Sequence, residues 1–316
     1  MLIILFISVI LLAYSNGAND NFKGVATLWG SGTLTYKQAL ILANITTFAG
    51  SVCSYFFADA LVKNFSGKGL VPDEVIASAP FVLSVALGAG LTILMATKFG
   101  FPVSTTHALV GALLGTGLVV AGSAANFSKL GKTFFLPLVI SPVIAVIGSM
   151  ILYFAAVRIK IVSANVLNKF HCISAGVVSF ARGLNDTPKL VSLLIITKFF
   201  SLPVNIFVLA VVMAVGGILN AKKVANTMSK KISSLNHSQG FTANFVTGIL
   251  VISASIFGLP VSTTHVSVGS IYGIGLVSKT ANNKEISKII LSWLLTLPLA
   301  AISAATIYFI VHLIIN

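Results

Sequence analysis

Phe99-Gly100-Phe101-Pro102-Val103-Ser104-Thr105-Thr106-His107 returns 158 residues later as Phe257-Gly258-Leu259-Pro260-Val261-Ser262-Thr263-Thr264-His265. The two stretches differ only at Phe101 against Leu259. The likeness continues through Val110-Gly111, Gly115 and Gly117-Leu118-Val119 to Val268-Gly269, Gly273 and Gly275-Leu276-Val277. Chance does not place so polar a string twice in like context. A shorter pair agrees with it: Gly17-Ala18-Asn19-Asp20 matches Gly183-Leu184-Asn185-Asp186, 166 residues on, and Lys23 and Lys189 each stand three residues past the aspartate. Self-similarity of this kind marks an internal duplication. The first repeat covers 1–157, a short basic linker 158–169, and the second repeat 170–316.

Composition says where such a chain lives. Of its 316 residues 57% are apolar and 8% charged, against about 25% charged in an ordinary soluble domain. That excludes a soluble enzyme, a disordered chain and a nucleic-acid binder, and puts the chain in a lipid bilayer. Apolar segments run over 1–28, 38–61, 79–97, 102–121, 134–157, 171–197, 203–219, 242–257, 260–277 and 289–314. Two adjacent pairs, 79–97 with 102–121 and 242–257 with 260–277, are joined only by the Gly/Pro turns of the duplicated stretch. Each half therefore holds three single spans and one pair that returns to its own side. It crosses an odd number of times, which inverts the second half relative to the first. The expected fold is an all-α polytopic membrane protein of two inverted-topology repeats. Interrupted helices, with re-entrant or short paired helices at the Pro-Val-Ser-Thr-Thr-His stretches, complete the pattern of a secondary transporter. Residues 1–14 have no basic leader and read as part of a span, not as a signal peptide. Cys53 and Cys172 stand alone in apolar runs and read as packing residues.

The 20 Lys and Arg outnumber the 6 Asp and Glu, a formal net charge of +14. With the N-terminus outside, the inner loops carry Lys37, Arg158, Lys160, Lys169, Lys222, Lys223, Lys230, Lys231, Lys279, Lys284 and Lys288. The outer loops carry only Lys63, Lys68, Lys129, Lys132 and Lys198. The positive-inside rule then predicts both termini on the extracytoplasmic side of the cell membrane.

The polar residues inside the spans carry the chemistry. Asp20 and Asp186 lie within apolar segments, where an aspartate costs about 2.5–3.5 kcal/mol at the helix centre. Asn19, Asp20, Asn185 and Asp186 are the expected site of a coupling cation, Na⁺ or a proton, because hard cations take oxygen ligands. The plainer alternative is an i,i+3 pair of each aspartate with Lys23 or Lys189. Gly17 and Gly183 precede the Asn-Asp pairs and Pro188 follows the second, which predicts unwound turns there; close helix packing is the alternative for the glycines. In the duplicated stretch, Pro102 and Pro260 suit a first helical turn. Ser104, Thr105, Thr106, Ser262, Thr263 and Thr264 then offer hydroxyls beside free N–H groups at a positive dipole end. Two such helix starts facing each other fit one tetrahedral oxyanion. Simple capping would use one serine of each. His107 and His265 are read first as braces of the hairpins, with proton transfer as the alternative. Gly111/Gly115 and Gly269/Gly273 read as helix-packing pairs. Arg182 has Asn16 at its matching place and either lends charge to an anion path or anchors a helix. No nucleophile, base and orienting residue fall together, which speaks against an enzyme.

These four motifs resemble those of the inorganic phosphate transporter (PiT) family, in its short prokaryotic form without the large cytoplasmic insert of animal members. The resemblance covers essentially the whole chain. It implies a symporter of inorganic phosphate driven by Na⁺ or H⁺, with no cofactor, working by alternating access. It also implies outside termini and a homodimer with a pathway in each protomer. Carried over, Asn19, Asp20, Asn185 and Asp186 and the six Ser/Thr residues become substrate and cation residues, with Lys23, His107, Arg182, Lys189 and His265 around them. The chain departs from the common pattern at Lys23 and Lys189, where many members have Asn, at Leu184 in place of Ala, and at Arg182 in place of His. A sulfate or other oxyanion permease of the same fold, or an uncoupled anion channel, are the competing readings.

Overall fold

A computed structural model describes residues 1–57, 59–122, 126–158 and 164–315. Ten principal helices build it: α1 (Leu2–Asp20), α2 (Tyr36–Phe57), α3 (Ala79–Phe99), α4 (Thr105–Ala121), α5 (Leu136–Arg158), α6 (Ala164–Leu194), α7 (Leu202–Asn220), α8 (His237–Ile256), α9 (Thr263–Ser278) and α10 (Asn283–Ile315). Among the described residues seven helical stretches are long and apolar enough to cross a membrane. The outer surface is apolar too: Ile3, Ile147, Ile302 and Leu313 are each more than half exposed while Asp20, Lys23, Arg182, Asp186 and Lys189 are buried. That inside-out arrangement is the one a bilayer demands, and the chain is a multi-pass membrane protein. Of the expected linker, residues 159–163, with Lys160, lie outside the described residues, and 164–169 already belong to α6.

The duplicated stretch is a stop and a restart. Gly100 ends α3 with φ +77° and Gly258 follows α8 with φ +68°, a left-handed conformation that glycine adopts without strain. The closing bonds match: Phe101 N–H donates to Ala96 O at 3.0 Å, and Leu259 N–H to Ala254 O at 2.8 Å. This is the glycine C-terminal motif, and a proline just beyond it keeps the chain from resuming the helix. Ser104 and Ser262 then cap α4 and α9, each hydroxyl accepting from the N–H of the histidine three residues on. The helices thus begin at Thr105 and Thr263, later than expected. Pro102 and Pro260 sit in the turn, and the carbonyls of Val103 and Val261 just after them accept from the lysines described below.

The ten helices pack reciprocally. α1 lies against α3 and α7, while α6 lies against α8 and α2; α4 lies against α10, while α9 lies against α5. The glycines fix these crossings. A Cβ at Gly17 would fall 1.9 Å from Met213 O, and one at Gly183 would fall 2.1 Å from Thr47 O. Gly111 and Gly115 meet α10 backbone, and Gly269 and Gly273 meet α5 backbone, as their spacing suggested. Gly17→Ala and Gly183→Ala should therefore each cost at least the 1–3 kcal/mol typical of overpacking, roughly. Thermal unfolding in detergent will show lowered midpoints for both, whereas Gly131→Ala, with nothing within 4 Å, leaves the midpoint in place.

The expected interruption is present in the first half only. α1 stops at Asp20, and a turn leads into a 3₁₀ segment at Lys23–Val25. α6 runs unbroken through Asn185, Asp186 and Pro188. Proline removes one backbone donor, and the packing of α6 between α2 and α8 holds the helix together around that gap.

Candidate functional site

The C-terminal turn of α1, the middle of α6 and the two hairpin turns converge on one buried polar centre. Asp20, Lys23, Ser104, Thr105, Thr106, Arg182, Asn185, Asp186, Lys189, Ser262, Thr263 and Thr264 are all at most 4% exposed, and Asn19 is fully buried. All ten residues expected to bind substrate or cation are in this centre, and so are the two lysines and the arginine. Polar groups buried this deeply persist only when partnered.

Both aspartates are ion-paired as the i,i+3 spacing allows. Lys23 Nζ lies 2.5 Å from Asp20 Oδ1, and Lys189 Nζ lies 3.0 Å from Asp186 Oδ1. Yet neither pair is self-contained. Lys23 also donates to Asn19 Oδ1 (2.8 Å), Val103 O (2.7 Å) and Thr264 Oγ1 (2.6 Å). Lys189 also donates to Thr106 Oγ1 (2.8 Å) and Val261 O (3.3 Å). Each ammonium thus ties its own hairpin turn to a threonine of the opposite one. Those threonines cross-link the turns again: Thr264 Oγ1 donates to Val103 O at 2.9 Å, and Thr106 Oγ1 to Val261 O at 3.1 Å. The two turns meet each other in the interior of the protein.

The asparagines hold the turns from the helix side. Asn19 Nδ2 donates to Thr97 Oγ1 and Phe101 O, and its Oδ1 accepts from Val103 N–H at 3.1 Å. Asn185 Nδ2 donates to Val261 O and Thr263 Oγ1, and its Oδ1 accepts from Ser255 at 3.3 Å. Thr105 donates to Asp20 Oδ2 at 3.0 Å. Ser104 and Ser262 are engaged as helix caps. The first-turn N–H groups of α4 and α9 have no partner inside their own helices and point into this region, together with the positive dipole ends.

Arg182 sits in the middle of the centre, fully buried. It donates from Nη1 to Asn21 Oδ1 (3.0 Å) and from Nη2 to Asn16 Oδ1 (2.5 Å), and its Nε lies 3.5 Å from Asp186 Oδ2 with no hydrogen-bond partner. Three buried cations, Lys23, Arg182 and Lys189, face two carboxylates. One positive charge is left over, an arrangement suited to an anion.

His107 and His265 stand apart from this network. Their rings lie 4.5 Å apart, His265 packs at a tilt on Trp293 with centroids 3.9 Å apart, and Trp293 Nε1 donates to Pro102 O at 2.8 Å. Both rings border an apolar cavity of about 450 Å³ between α5, α9 and α10. Among the described residues no three His, Cys, Asp or Glu side chains gather as a metal site.

Three further groups at the centre escaped the sequence reading. Asn16 Nδ2 reaches Asp20 Oδ2 (3.3 Å), Thr105 Oγ1 (2.9 Å) and Asp186 Oδ2 (3.1 Å), and so joins the two aspartates. Thr97 and Ser255 each hold the motif asparagine of their own half. They are themselves 158 residues apart, so the repeat offset alone would have found them.

The chain is similar to known phosphate transporters over nearly its whole length. A probable low-affinity inorganic phosphate transporter of Bacillus subtilis is 27% identical, with 99% of each chain covered. Another of that description from Rhizobium meliloti is 28% identical over 95% of this chain and 93% of its own. A solved structure described as "The sodium-dependent phosphate transporter" superposes with a TM-score of 0.87 at 26% identity, covering 99% of both chains. Residues 16–169 and 160–304 match the model of the Phosphate transporter family, and with nearly the whole chain so matched, this protein belongs to that family.

Proposed function

We propose that this chain carries inorganic phosphate across the cell membrane by alternating access at the polar centre, as a symporter coupled to Na⁺ or H⁺. The observation that carries the reading is the meeting of two repeat-related helix starts, with their threonines, around a surplus positive charge. Phosphate binds between the turns, to the hydroxyls and N–H groups of Ser104, Thr105, Thr106, Ser262, Thr263 and Thr264. The coupling ion acts at Asn19, Asp20, Asn185 and Asp186. Because anion and cation offset each other, coupling is reciprocal: phosphate raises cation affinity by the factor by which the cation raises phosphate affinity. The two halves, inverted, give the outward and inward routes. Asn64 Nδ2 donates to Gly258 O at 3.1 Å and Lys223 Nζ to Lys98 O at 2.8 Å, one bond beside each hairpin turn. Outside termini rest on the loop charges, and a homodimer rests on the resemblance.

The test is uptake of labelled phosphate into proteoliposomes, with Na⁺ and pH gradients imposed separately. A gradient should drive phosphate above its equilibrium level, which a channel cannot do. Excess sulfate should leave the uptake unchanged; strong competition by sulfate makes the chain a general oxyanion permease instead.

A further inference from the structure

The lysine ammonium groups are surrounded as an ion would be. An ammonium has three protons to donate, yet Lys23 Nζ has four oxygens within 2.8 Å: Asp20 Oδ1, Thr264 Oγ1, Val103 O and Asn19 Oδ1. Carboxylate, hydroxyl, main-chain carbonyl and amide oxygens are the mixed set that hard cations take. Lys189 Nζ repeats the pattern with Asp186 Oδ1, Thr106 Oγ1 and Val261 O, within 3.3 Å. Val103 and Thr106 lie 158 residues before Val261 and Thr264, so the duplication has built this shell twice. A simple salt bridge needs neither the hairpin carbonyl nor a hydroxyl from the other half. We propose that Lys23 and Lys189 are tethered cations that fill the two repeat-related cation positions, so that phosphate moves without Na⁺.

The charge balance agrees. With both lysines and Arg182 charged, the centre and one monoanionic phosphate sum to zero. Each Na⁺ added would bring an uncompensated charge into a buried centre, which is costly. The inference rests on the phosphate reading above and removes Na⁺ from its two candidate coupling ions.

The test has two arms. In proteoliposomes at fixed pH gradient, replacing Na⁺ by N-methylglucamine leaves wild-type phosphate uptake unchanged, and no ²²Na⁺ accompanies phosphate. A stimulation by Na⁺ of about tenfold or more, about 1.4 kcal/mol in coupling, overturns the proposal. In the second arm, thermal unfolding in detergent is compared in NaCl and N-methylglucamine chloride. Wild type shows no difference. The double variant Lys23→Asn/Lys189→Asn, which opens the oxygen shells, gains a rise in midpoint with Na⁺ by mass action. A folded double variant indifferent to Na⁺ overturns the proposal; if the variant does not fold, the wild-type result decides. Should wild type take up no phosphate under any gradient, the transport reading fails, while the unfolding arm still judges the lysines.

Discussion

Asp20→Asn and Asp186→Asn each abolish phosphate uptake into proteoliposomes. Asparagine keeps the shape of the side chain and removes its charge. Asp20 loses its hold on Lys23 at 2.5 Å and on the Thr105 hydroxyl at 3.0 Å; Asp186 loses Lys189 at 3.0 Å and Arg182 at 3.5 Å. Removing one partner of a buried ion pair costs about 3–5 kcal/mol because the other charge is stranded. Spent in the transport cycle, that is a loss of roughly 10²–10⁴ in rate. The two variants differ in a way that identifies the cause. Asp186→Asn leaves two cations short of their carboxylate and Asp20→Asn one. The unfolding midpoint in detergent should therefore fall further for Asp186→Asn, while uptake is lost in both. Full transport by both variants would remove the aspartates from the site.

The features visible in the sequence are those whose physics is local. A glycine stop, a proline and a serine cap act within a few residues, so the duplicated stretch announced a break and restart at Gly100–Ser104 and Gly258–Ser262. A charge inside an apolar run is equally local, and Asp20 and Asp186 stood out on that ground. What stayed hidden depends on contacts far along the chain. Lys23 and Thr264 are 241 residues apart, and nothing around either one says they touch. Asn16 was visible only as the residue that is not an arginine, although it links both aspartates. Gly17 and Gly183 suggested either unwinding or close packing; packing is what they do, but the partners, the backbones of α7 and α2, were not legible from their surroundings. Pro188 suggested a break that packing on both sides of α6 prevents.

Arg182 is where the duplication is broken, and its replacement tests whether the surplus charge matters. Its guanidinium spans Asn21 and Asn16 with separate nitrogens while its Nε faces Asp186. Only a planar fork makes those contacts at once; a lysine brings the charge without the fork. Hydrogen bonds to charged groups are worth about 1.5–3 kcal/mol, and Arg182→Gln removes the charge from all of them. Three cations against two carboxylates become two against two, and the attraction for an anion goes with the surplus. Phosphate uptake by Arg182→Gln should fall about 100-fold, chiefly through a raised KM. Arg182→Lys restores the charge balance but leaves Asn16 or Asn21 unserved, and should fall only about tenfold, by roughly 1.4 kcal/mol. If the two variants lose uptake equally, the fork and not the charge is what the centre requires. If Arg182→Gln transports as wild type does, the surplus positive charge is not what draws phosphate in, and the helix starts of α4 and α9 must bind it unaided.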